Sequence, residues 1–111
     1  GEITISLANQ EFHCRITMDV MMRIETAMGK SVIKIANTMQ DGDLTALQMI
    51  AFLKPVLRSS GKDTKDKDVQ ELIWNTGITN TMMAIAEIIT FIITGNEKDG
   101  EQGNVEQAAN I

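Results

Sequence analysis

The chain has very few of the residues that build covalent or metal-held scaffolds. Its 111 residues include one Cys, one His, one Trp, one Pro and no Tyr. One Cys closes no internal disulfide, and one Cys with one His is too small a set for a structural zinc site. Cys14 therefore reads as a small buried hydrophobe in a reducing compartment. Positive charge is also scarce. Lys and Arg number 10 against 15 Asp and Glu, a net charge of −5. That balance competes poorly for phosphate and disfavours general nucleic-acid binding. Long apolar runs are missing too. The longest, Met82 to Ile93, is 12 residues with Glu87 inside it, against the roughly 20 apolar residues of a spanning helix. No secretory signal is visible, because the amino terminus alternates polar and apolar residues. What is present is a 43% hydrophobic composition, enough for the core of one domain.

Residues 2–18 repeat with period two. Ile3, Ile5 and Leu7 alternate with Thr4, Ser6 and Ala8, and after Asn9-Gln10 the pattern resumes with Phe12, Cys14 and Ile16 against His13, Arg15 and Thr17. Two alternating runs about a short polar break predict a β-hairpin, with the turn type left open. Its apolar face needs a cover, because an isolated hairpin is barely stable in water.

Helical periodicity follows. Asp19 or Thr17 can cap a helix to about Met28, ended by Gly29. Ser31 can cap a second, with Val32, Ile35, Ala36 and Met39 in one stripe. Asp41-Gly42-Asp43 breaks the pattern, and Asp43 can cap a third helix carrying Ala46, Met49, Ile50, Leu53 and Leu57. Pro55 is expected to kink or end it. The alternating charges of 59–68 predict a solvated loop. A short fourth helix is predicted from about Lys67 to Asn75, with Val69, Leu72 and Ile73 inward and Gly77 after its end. Asn80 can cap a fifth, to about Thr94 before Gly95. The Gly/Asn/Gln-rich residues 96–111 predict a flexible, disordered tail. The fold class expected is α+β: a β-hairpin over 2–18 packed on about four to five helices over 19–95, in a single domain 1–95.

Catalytic signatures are weak. Cys14 and His13 are adjacent in a strand and so point to opposite faces. Asp41-Gly42-Asp43 resembles a fragment of a calcium loop, but no glutamate stands where the loop's closing bidentate ligand belongs, since Phe52 and Leu53 occupy that region. No phosphate-binding, zinc-helix or serine-elbow motif occurs. The expectation is a non-enzyme without metal or cofactor. The fifth helix says more. Met82, Ile85, Ala86, Ile89 and Ile93 make one stripe, Met83, Ile88, Phe91 and Ile92 fill its flanks, and only Glu87, Thr90 and Thr94 make a polar strip. Such a helix is either central in the core or covered by a partner. Eight Met residues, among them Met18, Met21 and Met22, suit an adaptable binding surface as well as gap-filling in a core poor in aromatics.

The order of these signals resembles the small tail-assembly proteins of gene transfer agents and related tailed phages, of the tail-tube or tail-assembly-chaperone type. The positions that carry the resemblance are Gly1-Glu2-Ile3, Ile16-Thr17, Ile24-Glu25 and Ala27-Met28-Gly29. Further positions are Asp43-Leu44 before a helix with Ala51, Leu57 and Gly61, and Val69 to Ile73; together they span about 1–95. The chain departs from the usual Ala/Leu/Arg-rich members in its Ile, Met and Thr content. The resemblance implies a phage or prophage assembly chaperone in the bacterial cytoplasm. Its partners would be the tape-measure protein and tail-tube subunits, with self-association open to it, and it brings no catalytic residues. On that reading the candidate interface is Met18, Met21, Met22, Met83, Ile88 and Phe91. The alternatives are a tail-tube or tail-completion subunit retained in the particle, or an acidic inhibitor mimicking nucleic acid. The second is disfavoured because the carboxylates are interleaved with Lys.

Overall fold

The computed structural model describes the backbone of residues 1–101 and the side chains of residues 1–95. The chain opens with an antiparallel hairpin of β1 (Glu2–Leu7) and β2 (Gln10–Arg15), in register Leu7 opposite Gln10 and Glu2 opposite Arg15. The connecting residues are Ala8 and Asn9, one position earlier than the polar Asn9-Gln10 pair suggests. Both have positive φ, 52° and 63°, as the primed two-residue turn requires to match strand twist. The Ala8 N–H donates to Thr76 Oγ1 at 2.7 Å, which ties the hairpin tip to a distant helix.

Five helices follow: α1 (Met18–Met28), α2 (Val32–Gln40), α3 (Ala46–Arg58), α4 (Asp66–Thr76) and α5 (Ile78–Glu101). Thr17 caps α1 and Ser31 caps α2, each accepting from the backbone N–H three residues on. Gly29 ends α1 at φ 72°, a left-handed conformation that glycine adopts without a Cβ penalty. Asp43 does not cap α3. Thr45 does, and Gln48 completes the box by accepting the Thr45 N–H at 2.9 Å while donating its own N–H to Thr45 Oγ1 at 3.1 Å. The reciprocal arrangement satisfies two end donors where an Asp at 43 would satisfy one. Pro55 does not end α3, which runs three residues further to Arg58. The proline removes the donor for the Ala51 carbonyl, and a helix held by packing on one face tolerates that loss.

The hairpin lays its apolar face on the helices, α3 beneath β2 and α4 and α5 beneath β1. Ile5, Leu7, Phe12, Cys14 and Ile16 are buried there. The central element is α3, not α5. It buries Met49, Phe52, Leu53, Val56 and Leu57 and packs on α1, α4, α5 and β2.

Helix α5 begins at Ile78, two residues before the expected cap, so Asn80 lies inside it, and it passes through Gly95 rather than stopping there. Gly95 is not in the left-handed region, and the Phe91 ring lies 3.4 Å from where its Cβ would stand. The expected tail at 96–111 begins within this helix, and residues 102–111 lie outside those described. The buried row of α5 is Thr81, Ala84, Ile85, Ile88 and Ile89, rotated from the expected stripe. Met83 and Ile93 face solvent.

The window Ile78–Gly95, with mean hydropathy 1.5, is long and apolar enough to cross a membrane by length and composition. The run Met82 to Ile93, bounded by Thr81 and Thr94, is extended in this window by Ile78 and the residues between. One face of that helix is committed to the core.

Candidate functional site

Among the described residues no three of His, Cys, Asp and Glu gather into a possible metal cluster. His13 lies on the exposed face of β2 with Nδ1 2.9 Å from Thr4 Oγ1. Cys14 lies on the buried face, its Sγ 3.7 Å from the Phe12 carbonyl. Burial pushes the Cys14 thiol pKa up, and a hydrogen bond with Ser59 opposes this in part. A neutral buried thiol facing away from the imidazole is not an activated nucleophile. Asp41 and Asp43 are exposed in the turn at Gly42.

The surface chemistry is apolar instead. A concavity of about 690 Å³ runs between α1 and α3 and reaches the start of α4. Its floor comes from Met22, Ala27, Leu47, Ile50, Ala51 and Pro55. Leu47 is 78% exposed and Met22 55%, a large uncovered apolar area for two side chains so close together. Charged groups line the banks. Arg23 Nε donates to Asp19 Oδ2 at 2.8 Å, a contact that raises the guanidinium pKa. Lys54 Nζ lies 2.6 Å from Asp66 Oδ1, and Arg58 lies in the last turn of α3. The banks therefore carry three cations against two carboxylates on a protein that is acidic overall. Trp74, one turn beyond Gln70 on α4, is 83% exposed. An exposed Trp of this kind is a common anchor at interfaces.

The sequence-predicted interface residues divide among three places. Met18, Met21 and Phe91 meet around a cleft of about 180 Å³ with Ile16 and Ile92. Phe91 and Met83 share a second groove of about 540 Å³ with Ile3 and Thr4 of β1. Met22 belongs to the α1–α3 groove. Ile88 is 0% exposed in the hydrophobic core and is not an interface residue. Its flank assignment failed because α5 is apolar on nearly every side, which leaves the helical phase undetermined by sequence.

Leu47, Pro55 and Trp74 were missed as surface residues. Leu47 lies off the buried stripe of α3, and that offset was the available signal. Comparison with protein-family models, curated proteins and solved structures returns no match to this chain.

Proposed function

We propose that the protein is an assembly factor of the tail-assembly-chaperone kind, acting in the bacterial cytoplasm. It binds a long helical partner, the tape-measure protein of a tailed phage, prophage or gene transfer agent, and so assists tail-tube polymerisation. The observation that carries the reading is the open α1–α3 groove, with its floor of Met22, Leu47, Ile50 and Pro55 between charged banks. A groove of this composition suits the apolar stripe of an amphipathic helix, with acidic positions of that helix beside Arg23, Lys54 and Arg58. Flexible Met and Leu contacts suit successive, non-identical segments of one long chain. The resemblance of residues 1–95 to small tail-assembly proteins supplies the partner. The Met18/Met21/Phe91 cleft is a separate opening, its Met18 one turn before Met22 on α1, and is not needed for this contact.

The test is co-purification with a tailed-phage tape-measure protein expressed in the same cells, using the double variant Met22→Asp, Leu47→Asp. Both side chains are exposed, so the helical circular dichroism is expected to be unchanged while co-purification is lost. A folded variant that still captures the tape measure overturns the groove assignment. A wild-type protein that never captures it overturns the function.

The unpaired outer edge of β1 favours a second reading, a tail-tube or tail-completion subunit. Presence in stoichiometric amounts in finished particles would select that reading over the chaperone.

A further inference from the structure

A two-stranded sheet has two outer edges, and here they are unequal. Gly1 and Ile16 exchange both backbone bonds, Ile16 N–H to Gly1 O at 2.8 Å and Gly1 N to Ile16 O at 3.3 Å. In an antiparallel ladder such pairs alternate, so Ile3–Cys14, Ile5–Phe12 and Leu7–Gln10 are the other hydrogen-bonded pairs. The N–H and C=O groups of Glu2, Thr4 and Ser6 on β1, and of Glu11, His13 and Arg15 on β2, therefore point outward.

The β2 edge is closed at its Arg15 end. The Arg15 N–H donates to Ser59 Oγ at 3.1 Å, and Lys62 sits 5.9 Å from the Phe12 ring centroid. Along β1, among the described residues, no main-chain group of Glu2, Thr4 or Ser6 has a partner. Beside that open edge lies the groove shared with α5, where Met83, Glu87, Thr90 and Thr94 run along one helix face at spacings of four, three and four. Glu87 is the one charged residue in its lining. An unprotected edge above an uncovered helix row is an incomplete layer, which natural sheets close by blocking or by pairing.

We propose that the occupant of this edge is a second copy of the same chain, paired β1 to β1 about a two-fold axis at Thr4. The strand is self-complementary in that register. Thr4 faces Thr4 of the second copy, Glu2 faces Ser6, and Ile3 faces Ile5. Every outward-pointing donor and acceptor from Glu2 to Ser6 then finds a partner. Along the paired strands no like charges stand opposite each other, and Thr–Thr and Ile–Ile cross-strand pairs are favourable. The result is a four-stranded sheet with an isologous interface. Because α5 packs beneath β1 rather than β2, the two α5 helices become neighbours under its centre. The row of Met83, Glu87, Thr90 and Thr94 then lines the seam, where the small Thr side chains permit close approach. The α1–α3 groove takes no part in this contact.

The proposal is tested on the full chain by sedimentation equilibrium over a wide concentration range, with circular dichroism as a check on fold. The expected wild-type species is a reversible dimer. Thr4→Lys and Thr4→Glu, at an exposed position, each place like charges opposite one another at the axis and should weaken self-association at least tenfold. An equimolar mixture of the two should recover a heterodimer, because the charges then oppose. In a separate experiment, Thr4→Cys treated with oxidised glutathione should give a disulfide-linked dimer, while Glu11→Cys on the β2 edge stays uncrosslinked. The single native thiol, Cys14, is buried and does not compete. A strictly monomeric wild type overturns the proposal. So does a dimer indifferent to charge at position 4, or one that crosslinks equally through Glu11→Cys. If the charged variants lose their fold, the cysteine pair decides alone.

Discussion

Replacing Ile5 by Ala tests whether the hairpin is an integral part of the core. Ile5 is 1% exposed, pairs with Phe12, and packs above the helices in the same cluster as Leu53 and Ile85. The change removes three carbons, worth about 2.4 kcal/mol at roughly 0.8 kcal/mol for each buried group. The helices packed beneath β1 cannot close the void fully, and the remaining cavity raises the loss toward about 4 kcal/mol. At roughly 4–8 °C per kcal/mol for a domain of this size, the melting midpoint should fall by about 12 °C or more. With a urea dependence of about 1.5 kcal/mol/M, the denaturation midpoint moves by about 2 M.

The readout should be far-UV circular dichroism, which follows five helices at once. Ser6→Ala, on the exposed face of the same strand, is the control and should lie within about 0.5 kcal/mol of wild type. Ile16→Ala, at the sheet's end and 8% exposed, should cost less than Ile5→Ala but more than the control. Losses below about 0.5 kcal/mol at both Ile5 and Ile16 would refute the reasoning, since no fully buried isoleucine is removed so cheaply.

Further outcomes follow from single contacts. Thr45→Ala breaks the reciprocal cap of α3 and should lower stability by about 1 kcal/mol, measured by the same urea titration. Because the native Cys14 thiol pKa lies above its unfolded value, the folded state holds the proton more tightly. The associated stability is full below about pH 8.5 and declines as pH rises. Cys14→Ala should remove this part of the alkaline slope, and a native thiol that reacts at once with a disulfide reagent at pH 8 would contradict it. Trp74, the sole tryptophan and largely in solvent, should emit like free indole and change little on unfolding, yet shift to the blue when a partner on the α1–α3 groove extends one turn past Gln70 along α4.

Sequence pattern reached different elements to different depths. The hairpin was readable because period two leaves little freedom. Once Ile5 faces inward, Leu7, Phe12 and Cys14 are fixed with it. The turn slipped by one residue because its positive φ falls on Ala8 as well as Asn9, and alanine carries no signal for that conformation. At the start of α3, Asp43 and Thr45 are both plausible caps, and what decides between them is Gln48 three residues after Thr45. In α5 the obstacle was physical. Thr81 is 0% exposed with its hydroxyl donated to the Gly77 carbonyl at 2.8 Å, so a residue that looks polar belongs to the buried row. Ala86, which looks apolar, lies outside it. The candidate groove was nearly invisible because it is made by what α1 and α3 leave uncovered, and a residual surface appears only once both helices are docked.

The covering of β1 by α4 and α5 has a consequence for the order of synthesis. β1 leaves the ribosome well before the helices that close it, with the Ala8–Thr76 hydrogen bond spanning 68 residues. Until α5 arrives, the apolar underside of β1 is covered only in part, by α4. Completion must therefore wait for contacts between the two ends of the domain, which slows closure relative to a purely local helical bundle. A nascent chain stalled before Ile78 would hold a half-built core with the underside of β1 uncovered by α5, the kind of surface through which unfinished chains find one another.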